Sequence, residues 1–187
     1  FRIMLVSIII PYYKDKNNIL YSVKSAINQS YKNIEVIIID DENSDESKKR
    51  LLNLKKKNKK IKVISTKKNL GVSQARNLGI KHSSGKLVAF LDSDDIWKKD
   101  KLKKQVHFMK KNKIDFCYTD YYGFVGKNIL YTVNIKKVFD YNGMLSECPI
   151  SCSSVLIKKN ILNKNKFRNL KTKEDYELWL RIAKKKI

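Results

Sequence analysis

A short acidic cluster follows an apolar stretch in the middle of the chain. Residues 87–91 are Leu, Val, Ala, Phe and Leu, and the next four are Asp92, Ser93, Asp94 and Asp95. The apolar stretch predicts a strand that is buried on both faces, as in a parallel sheet covered by helices. The carboxylates would then lie just beyond the carboxyl end of this strand, where open α/β sheets bind their ligands.

Two interpretations of the acidic cluster remain open from these residues alone. In an extended chain Asp92 and Asp94 point the same way, and one or two carboxylates plus substrate phosphates are the usual ligands of Mg²⁺ or Mn²⁺. Alternatively, residues 93–95 cap a helix that begins near Ile96 or Trp97, because acidic residues are common at helix N-termini. The first interpretation predicts a metal site, and the second predicts only a helix start.

Apolar strands and amphipathic helices alternate around this cluster, which predicts a mostly parallel sheet with right-handed crossovers. Strands are predicted near residues 5–10, 34–39, 61–64 and 86–91, and helices near 17–30, 44–57, 72–80 and after 97. Pro11 is expected to stop the first strand. Because successive parallel strands end at one edge, we expect Tyr13, Asp41, Arg76 and the acidic cluster on the same rim.

Three of the predicted helices have an expected inner face. Helix 44–57 would turn Leu51, Leu52 and Leu54 inward, and the helix after residue 97 would bury Leu102, Val106 and Met109. After residue 112 the pattern weakens: strands are predicted near 115–122, 128–135 and 153–158, and helices near 160–162 and 173–186. The last helix would bury Tyr176, Trp179, Leu180 and Ala183.

The composition favours a globular, strongly basic protein. The 187 residues, 42% of them apolar, suffice for one domain with a sizeable core. The formal net charge of +23 suits a polyanionic partner, that is, nucleic acid, an anionic membrane or phosphorylated substrates. Much of this charge is lysine on predicted exposed surfaces, so solubility alone explains it equally well.

The sequence also predicts where in the cell the protein is found. We find no apolar run of membrane-spanning length and no secretory signal, so we expect a cytoplasmic protein. The three cysteines, Cys117, Cys148 and Cys152, are odd in number and lack the spacing of a zinc site. We therefore expect them to be reduced and packed.

Five segments together resemble the family 2 glycosyltransferases, in the order in which that family has them. They are residues 6–13, 39–45, 69–79, 90–97 and 174–181. The resemblance implies the GT-A fold, an α/β architecture with a mostly parallel, Rossmann-like central sheet flanked by helices. It further implies one catalytic domain over residues 1–187, with a nucleotide-sugar-binding half at about 1–112 and a smaller acceptor-side half at about 113–187.

The resemblance also implies roles on the donor side. Pro11 and Tyr13 would line the nucleoside pocket, Asp41 would accept a hydrogen bond from the base, and Arg76 would lie near the diphosphate. The chain departs from the family pattern at residues 42–43, where members often have a glycine and a small residue. The backbone of that turn is therefore left unpredicted.

The remaining implied roles concern the metal and the reaction. Asp92 and Ser93 would lie near the nucleotide-sugar, Asp92 and Asp94 would hold the metal, and Asp175 would be the catalytic base with Glu174 beside it. From the residues alone, the two acids that open the last helix could equally be first-turn carboxylates that stabilise it.

Transfer of a sugar from a nucleotide diphosphate needs a cation and a base of this kind. A divalent cation lowers the barrier to losing a diphosphate by stabilising its growing charge, and a carboxylate must take the proton of the attacking hydroxyl. The resemblance therefore implies an inverting glycosyltransferase of EC class 2.4, assisted by Mn²⁺ or Mg²⁺. Its donor would be a nucleotide-diphospho-sugar, most simply a UDP-sugar, and its acceptor a glycan or a lipid-linked molecule.

A peripheral contact with an anionic membrane at the inner face of the cell membrane is expected from a lysine-rich face. Its predicted members are Lys98, Lys99, Lys101, Lys103 and Lys104.

Three other functions compete with this one. A catalytically inactive nucleotide-sugar-binding domain would bind UDP without turnover. A basic nucleic-acid-binding module would explain the charge, but acids at the ends of three elements would repel phosphates, so no nucleic acid is expected. A sugar-phosphate nucleotidyltransferase would want a glycine-rich, arginine-containing loop after the first strand, which residues 11–14 are not.

Overall fold

The computed structural model describes residues 4–126, 128–135, 138–147 and 149–185. The strands are β1 (Val6–Tyr12), β2 (Ile34–Asp40), β3 (Ile61–Ser65), β4 (Leu87–Phe90), β5 (Phe116–Cys117), β6 (Tyr121–Val125), β7 (Asn128–Val133) and β8 (Leu156–Lys158). The helices are α1 (Ile19–Ile27), α2 (Asp45–Lys57), α3 (Val72–His82), α4 (Lys101–Asn112), α5 (Tyr141–Ser146), α6 (Lys159–Lys164) and α7 (Glu174–Lys184), with a 3₁₀ turn at Cys152–Ser154.

Six strands form one sheet in the order β3-β2-β1-β4-β8-β5. The first four are mutually parallel, and β8 pairs antiparallel with both β4 and β5, so the predicted mostly parallel α/β sheet is confirmed. The chain runs from β1 to β3 in one direction and then returns to place β4 on the other side of β1. This reversal opens a crevice at the carboxyl ends of β1 and β4, the usual ligand site of such sheets.

Helices cover both faces of the sheet, which explains why its strands are apolar on both sides. Successive residues of β1 point to opposite faces, so Ile8 and Ile10 join one core and Ile9 the other. The first core includes α1, α2 and α4, and the second includes α3, α5, α6 and α7. Helix α3 approaches β1 closely because Gly79 faces Ile9, where a Cβ would clash.

β1 continues through Pro11 to Tyr12, so the expectation that Pro11 stops the strand is wrong. Pro11 pairs in register with Ile39 of β2, whereas β4 has ended opposite Ile9. A proline without an N–H is tolerated there because no neighbouring strand faces it on the β4 side.

Helix α4 begins at Lys101, with Asp100 in the N-cap position, and not near Ile96 or Trp97. Residues 93–95 therefore cap no helix. The interpretation of the acidic cluster as only the start of a helix is wrong. The predicted inner face of α4 is confirmed, since Leu102, Val106 and Met109 are all buried.

Other helix faces differ in detail. In α2 Leu51 is buried but Leu52 is 47% exposed, because only positions three or four apart share a helix face. In α7 the buried positions are Leu178, Trp179 and Ile182, while Tyr176, Leu180 and Ala183 are partly buried.

The segment before β8 also differs from the sequence prediction. Helix α5 was not predicted, since six residues with a central Gly143 carry no readable periodicity. Cys117 and Cys152 are buried free thiols, as expected, and Cys148 lies outside the described residues. Among the helices of the described ranges, none is long and apolar enough to cross a bilayer.

Candidate active site

A cavity of about 600 Å³ opens at the carboxyl edge of the sheet, between the ends of β1, β2 and β4 and the start of α3. All seven residues that were assigned to the donor and metal line it: Pro11, Tyr13, Asp41, Arg76, Asp92, Ser93 and Asp94. The prediction that these seven residues lie on one rim of the sheet is therefore confirmed. Their individual roles remain predictions.

Asp41 follows β2 and is 3% exposed. Its carboxylate accepts hydrogen bonds from the backbone N–H groups of Leu70 and Gly71 and from the hydroxyl of Thr66, at 2.9–3.0 Å. Asp41 thus fixes the loop that leads into α3. Gly71 has a φ of 79°, a conformation that glycine adopts without strain, and it directs the first turn of α3 toward the cavity.

The turn after β2 accommodates the departure from the family pattern. Asn43 adopts a φ of 56°, which asparagine tolerates better than most residues, and its N–H donates to the carboxylate of Asp40. Glu42 accepts a hydrogen bond from the Lys14 N–H, at 3.2 Å. The Glu42 side chain and the Asn43 backbone therefore support the turn where the family often has a glycine.

The acidic cluster forms a turn and not an extended segment, because the Asp95 N–H donates to the Asp92 carbonyl at 3.1 Å. The premise that Asp92 and Asp94 point the same way in extended chain is therefore wrong. Two serines hold the turn. The hydroxyl of Ser22 in α1 contacts the carbonyls of Ser93 and Asp95 at 2.6 and 2.7 Å, and Ser153 accepts from the Asp92 N–H.

The donor set of this turn fits a divalent cation bound by few protein ligands. Burial raises the pKa of Asp95, and the hydrogen bond from Ser153 only partly offsets this, while the charges of Asp92 and Asp94 raise the pKa further. Such mutual repulsion is what a cation would relieve. Within the described ranges no three His, Cys, Asp or Glu side chains converge into a complete metal cage. The residues present thus suit Mg²⁺ or Mn²⁺ completed by substrate oxygens.

Arg76 of α3 joins the donor cavity to the start of α7. Its guanidinium donates to Asp92 Oδ1 at 2.8 Å and to Glu174 Oε1 at 2.6 Å. Arg76 is 3% exposed, and its Nε has no hydrogen-bond partner within the described part of the chain. The ring of Phe167 lies 5.4 Å from the guanidinium carbon. Arg76 is therefore a buried charge that is held in place by two carboxylates.

Asp175 and Glu174 open α7 but face different surroundings. Glu174 is engaged by Arg76, whereas Asp175 lines a second cavity of about 590 Å³ together with Tyr121, Lys173 and Tyr176. Burial raises the pKa of Asp175, and the N–H of Tyr176 and the charge of Arg76 counteract this only in part. A partly buried carboxylate with a raised pKa is a stronger base than an exposed one.

Two supporting contacts were missed by sequence reasoning. Ser22 and Ser153 hold the acidic turn, and Asn77 exchanges two hydrogen bonds with the backbone of Phe167, at 2.9 and 3.0 Å. Serine and asparagine occur throughout the chain, so their types alone gave no signal. Trp97 is packed, and its indole N–H donates to the Ser153 carbonyl at 2.9 Å.

The predicted lysine face has one member that does not belong to it. The ammonium group of Lys101 turns inward, where it donates to Gln105 at 2.7 Å and lies 4.3 Å from the Trp97 ring centre. Burial lowers the pKa of Lys101 to about 7. Lys98, Lys99, Lys103 and Lys104 are exposed.

Comparison with known sequences gives one family. The family model described as glycosyl transferase family 2 matches residues 7–174. Two relatives from Escherichia coli are named UDP-Glc:alpha-D-GlcNAc-diphosphoundecaprenol beta-1,3-glucosyltransferase. WfgD is 37% identical over 180 residues, which cover 96% of this chain and 70% of WfgD. WfaP is 39% identical over 187 residues, which cover 98% of this chain and 72% of WfaP.

Solved structures share the fold. The crystal structure of S. aureus TarS 1-349 superposes with a TM-score of 0.79 at 22% identity, covering 96% of this chain and 55% of TarS. The Pyrobaculum calidifontis mannosyltransferase PcManGT, solved with GDP-Man and Mn²⁺, gives a TM-score of 0.73 at 18% identity, covering 95% of this chain and 51% of PcManGT. The chain thus spans about half the length of these structures.

Proposed function

This chain belongs to glycosyl transferase family 2, and on that premise we propose that it transfers a hexose from a nucleotide-diphospho-sugar to a hydroxyl group of a lipid-linked or glycan acceptor. The transfer inverts the anomeric carbon, because attack from the face opposite the leaving diphosphate needs only one base and one displacement.

The names of the two E. coli relatives support the choice of substrates. Both use UDP-Glc as donor and an acceptor built on a polyprenyl diphosphate. UDP-glucose is therefore the first donor to test here, and a polyprenyl-diphosphate-linked sugar is the first acceptor. An acceptor of that kind lies in a membrane, so we also propose that the enzyme works peripherally at an anionic membrane surface on its cytoplasmic side.

The observation that carries the proposal is the ion-paired chain Asp92–Arg76–Glu174. It joins the carboxylate turn of the donor cavity to the first residue of α7, and so brings the neighbouring Asp175 into the electrostatic reach of both Asp92 and Arg76. These ion pairs hold a donor-side acid and an acceptor-side base in fixed positions. A single displacement requires such an arrangement.

On the donor side, Pro11 and Tyr13 would line the nucleoside pocket. Asp41, whose carboxylate already accepts from Thr66, Leu70 and Gly71, would accept from the base at its remaining lone-pair position. Arg76 would face the diphosphate with the second N–H of each Nη, since one N–H on each is engaged by a carboxylate and the Nε is buried. The first turn of α3 adds a favourable field for an anion at the same place.

Asp92 and Asp94 would hold the divalent cation, with Ser93 between them beside the nucleotide-sugar. When bound, Mn²⁺ or Mg²⁺ supplies Lewis-acid stabilisation of the charge that grows on the leaving diphosphate. Arg76 orients Asp92 through their 2.8 Å contact.

Asp175 would take the proton of the acceptor hydroxyl as that oxygen attacks the anomeric carbon. Its raised pKa, which has burial as its main cause, strengthens it as a base. Glu174 does not compete for this role, because its Oε1 accepts from Arg76. The cavity lined by Asp175, Tyr121 and Tyr176 would receive the acceptor.

The test is a transfer assay with UDP-glucose, Mn²⁺ and a synthetic polyprenyl-diphosphate-linked N-acetylglucosamine. We expect UDP release and a product of inverted configuration by NMR of the anomeric proton. UDP binding without release from any nucleotide sugar, with or without acceptor, would instead indicate a catalytically inactive binding domain. Absence of UDP binding together with a salt-dependent shift of DNA would favour the nucleic-acid-binding alternative.

A further inference from the structure

The hairpin formed by β6 and β7 carries apolar side chains into solvent. Val125, Ile129, Leu130 and Tyr131 are between 58% and 66% exposed. The two strands pair only with each other and form a sheet of their own, separate from the six-stranded sheet. Contiguous exposed apolar side chains of this kind mark a binding surface.

Both faces of the hairpin are apolar toward its tip. A register shift pairs Ile129 with Phe124 and Tyr131 with Gly123. Because consecutive side chains of β6 point to opposite faces, Ile129 and Tyr131 lie on opposite faces of the hairpin. A protein partner that packs against a ribbon covers one of its faces. Immersion of the tip in a lipid layer covers both, which makes a bilayer the better match to this pattern.

The charge of the segment selects the kind of bilayer. Residues 121–139 contain three lysines, Lys127, Lys136 and Lys137, and no aspartate or glutamate. These lysines lie outside the described residues, but their charge belongs to this segment. Lys98 adds another positive charge at the hairpin, 5.0 Å from the ring centre of Tyr122. Positive charge on an apolar segment is typical of contact with anionic lipid.

The base of the hairpin lies at the site. Tyr121, the first residue of β6, lines the same cavity as Asp175. Asp120 accepts a hydrogen bond from the N–H of Ile135 at 2.8 Å and ties the two ends of the hairpin together. A tip in the lipid layer would therefore bring the mouth of that cavity close to the membrane surface.

We propose that the tip of the β6–β7 hairpin inserts into the interfacial layer of an anionic bilayer and so presents the acceptor cavity to lipid-linked substrates. This inference rests on the proposed function for the identity of the acceptor. The contact surface itself is the hairpin, in preference to the lysine face of α4, whose Lys101 is turned inward.

The experiment compares sedimentation with vesicles of equimolar phosphatidylcholine and phosphatidylglycerol against vesicles of phosphatidylcholine alone. The test variant is Ile129→Ser with Leu130→Ser. The matched control is Leu20→Ser with Leu52→Ser, two leucines that are each 47% exposed on α1 and α2. UDP binding is measured on every sample by calorimetry.

We expect wild type and control to bind the anionic vesicles alike, and the hairpin variant to bind about tenfold or more weakly, because two apolar side chains no longer enter the lipid. Binding should also weaken at high salt, which screens the lysines. In addition, Leu130→Trp should show a blue shift of tryptophan emission on adding anionic vesicles, and Leu52→Trp should not.

Equal vesicle binding by wild type and hairpin variant would overturn the proposal, as would a Leu130→Trp emission that vesicles leave unchanged. A hairpin variant that loses self-association in the ultracentrifuge but keeps its vesicle binding would assign the tip to a second copy of the chain and overturn it too. Failure to bind any nucleotide sugar would count against the proposed function and leave the vesicle comparison standing.

Discussion

At the scale of single residues, the two acids that open α7 illustrate how neighbours divide their tasks. Glu174 is held by Arg76 at 2.6 Å, and Asp175 faces a cavity with a raised pKa that has burial as its main cause. Sequence reasoning could place both acids at a helix start, but it could not tell which of them is engaged. That distinction depends on Arg76, which lies 98 residues earlier in the chain.

The first prediction is that Asp175→Asn lowers turnover by about 10²–10⁴ while UDP affinity stays unchanged, because the amide keeps the shape but cannot take a proton. Glu174→Gln should lower turnover less and stability more, since it removes the charge that faces Arg76. The measurement is steady-state transfer with calorimetric UDP binding in parallel. If Asp175→Asn retained near-full transfer while Glu174→Gln lost it, the two assignments would have to be exchanged.

The second prediction concerns pH. Because burial raises the pKa of Asp175, turnover should fall on acidification at a higher pH than an ordinary aspartate would give. The stability contribution has the opposite dependence, since a raised carboxyl pKa favours the folded state at low pH and this advantage is lost as pH rises through the folded pKa. A profile of kcat against pH tests the first statement. An acidic limb at the ordinary aspartate pKa would contradict it.

The third prediction treats Arg76 as a positioning residue. Arg76→Lys keeps the charge but cannot form the two ion pairs from one planar group, so we expect kcat to fall about tenfold through misplacement of the α7 start. The positive charge of Arg76 lowers the pKa of Asp175. Arg76→Gln should therefore also shift the acidic limb of the pH profile upward, which a purely structural role would not do. An unshifted limb in Arg76→Gln would limit Arg76 to packing.

At the scale of elements, the first half of the chain was predictable because its strands are continuous apolar runs that only a sheet covered on both faces can bury. β1 to β4 and α1 to α4 all appear where the pattern placed them, apart from their ends. The end of β1 and the start of α4 were misjudged. In both cases the outcome depended on a neighbouring element, namely where β4 stops and how Ser22 holds the acidic turn.

The second half was harder because its elements are short and only partly buried. Helix α5 has six residues, and β5 has two. The ribbon of β6 and β7 exposes apolar residues on both faces, so its pattern does not alternate between apolar and polar. For the same reason the exposed apolar surface of this hairpin could not be predicted from the sequence.

Glu35 provides a test at this scale, because it links three strands at the opposite edge of the sheet. Its carboxylate accepts from Ser7 of β1, Lys62 of β3 and the N–H of Ser84, at 2.6–2.7 Å. Burial alone would raise the pKa of Glu35, but these hydrogen bonds outweigh it and lower the pKa. The sequence had shown Glu35 only as an interruption of an apolar strand.

We predict that Glu35→Gln lowers the free energy of unfolding by about 1.5–3 kcal/mol at neutral pH, the range for hydrogen bonds to a charged group. Since the folded pKa is depressed, this contribution is present above the unfolded pKa and is lost as pH falls through the folded pKa. Urea titrations of both proteins at neutral and acidic pH should therefore converge in acid. A difference that is independent of pH would mean that the charge of Glu35 contributes nothing.

At the scale of the whole molecule, the net charge of +23 and the acidic site have to be reconciled. At the carboxyl edge of the sheet four aspartates line the donor cavity, Asp15, Asp41, Asp92 and Asp94, and Arg76 pairs with one of them. The lysines are spread over helices and loops. A nucleic-acid interface would place basic groups where these acids are, so the distribution of charge, more than its sum, is consistent with a phosphate-bearing small donor.

The last prediction follows from the same distribution. The described part of the chain offers the metal only the carboxylates of one turn, so Mn²⁺ alone should raise Tm little. UDP supplies the missing oxygen ligands, and a ligand at 100 times its Kd stabilises by about 2.7 kcal/mol. For a domain of this size that corresponds to about 5–10 °C in Tm, which we expect with UDP and Mn²⁺ together.

The control is Asp94→Ala, which should keep the response to UDP alone and lose the increment that Mn²⁺ adds, with chelation by EDTA reproducing the same loss in wild type. Because Asp94 is exposed, its removal should leave the Tm of the unliganded protein nearly unchanged. Thermal unfolding of both proteins with each ligand and with the pair decides the matter. An equal Mn²⁺ increment in wild type and Asp94→Ala would show that the cation is held elsewhere, and the acidic turn would then be a purely structural link between α1, β4 and α3.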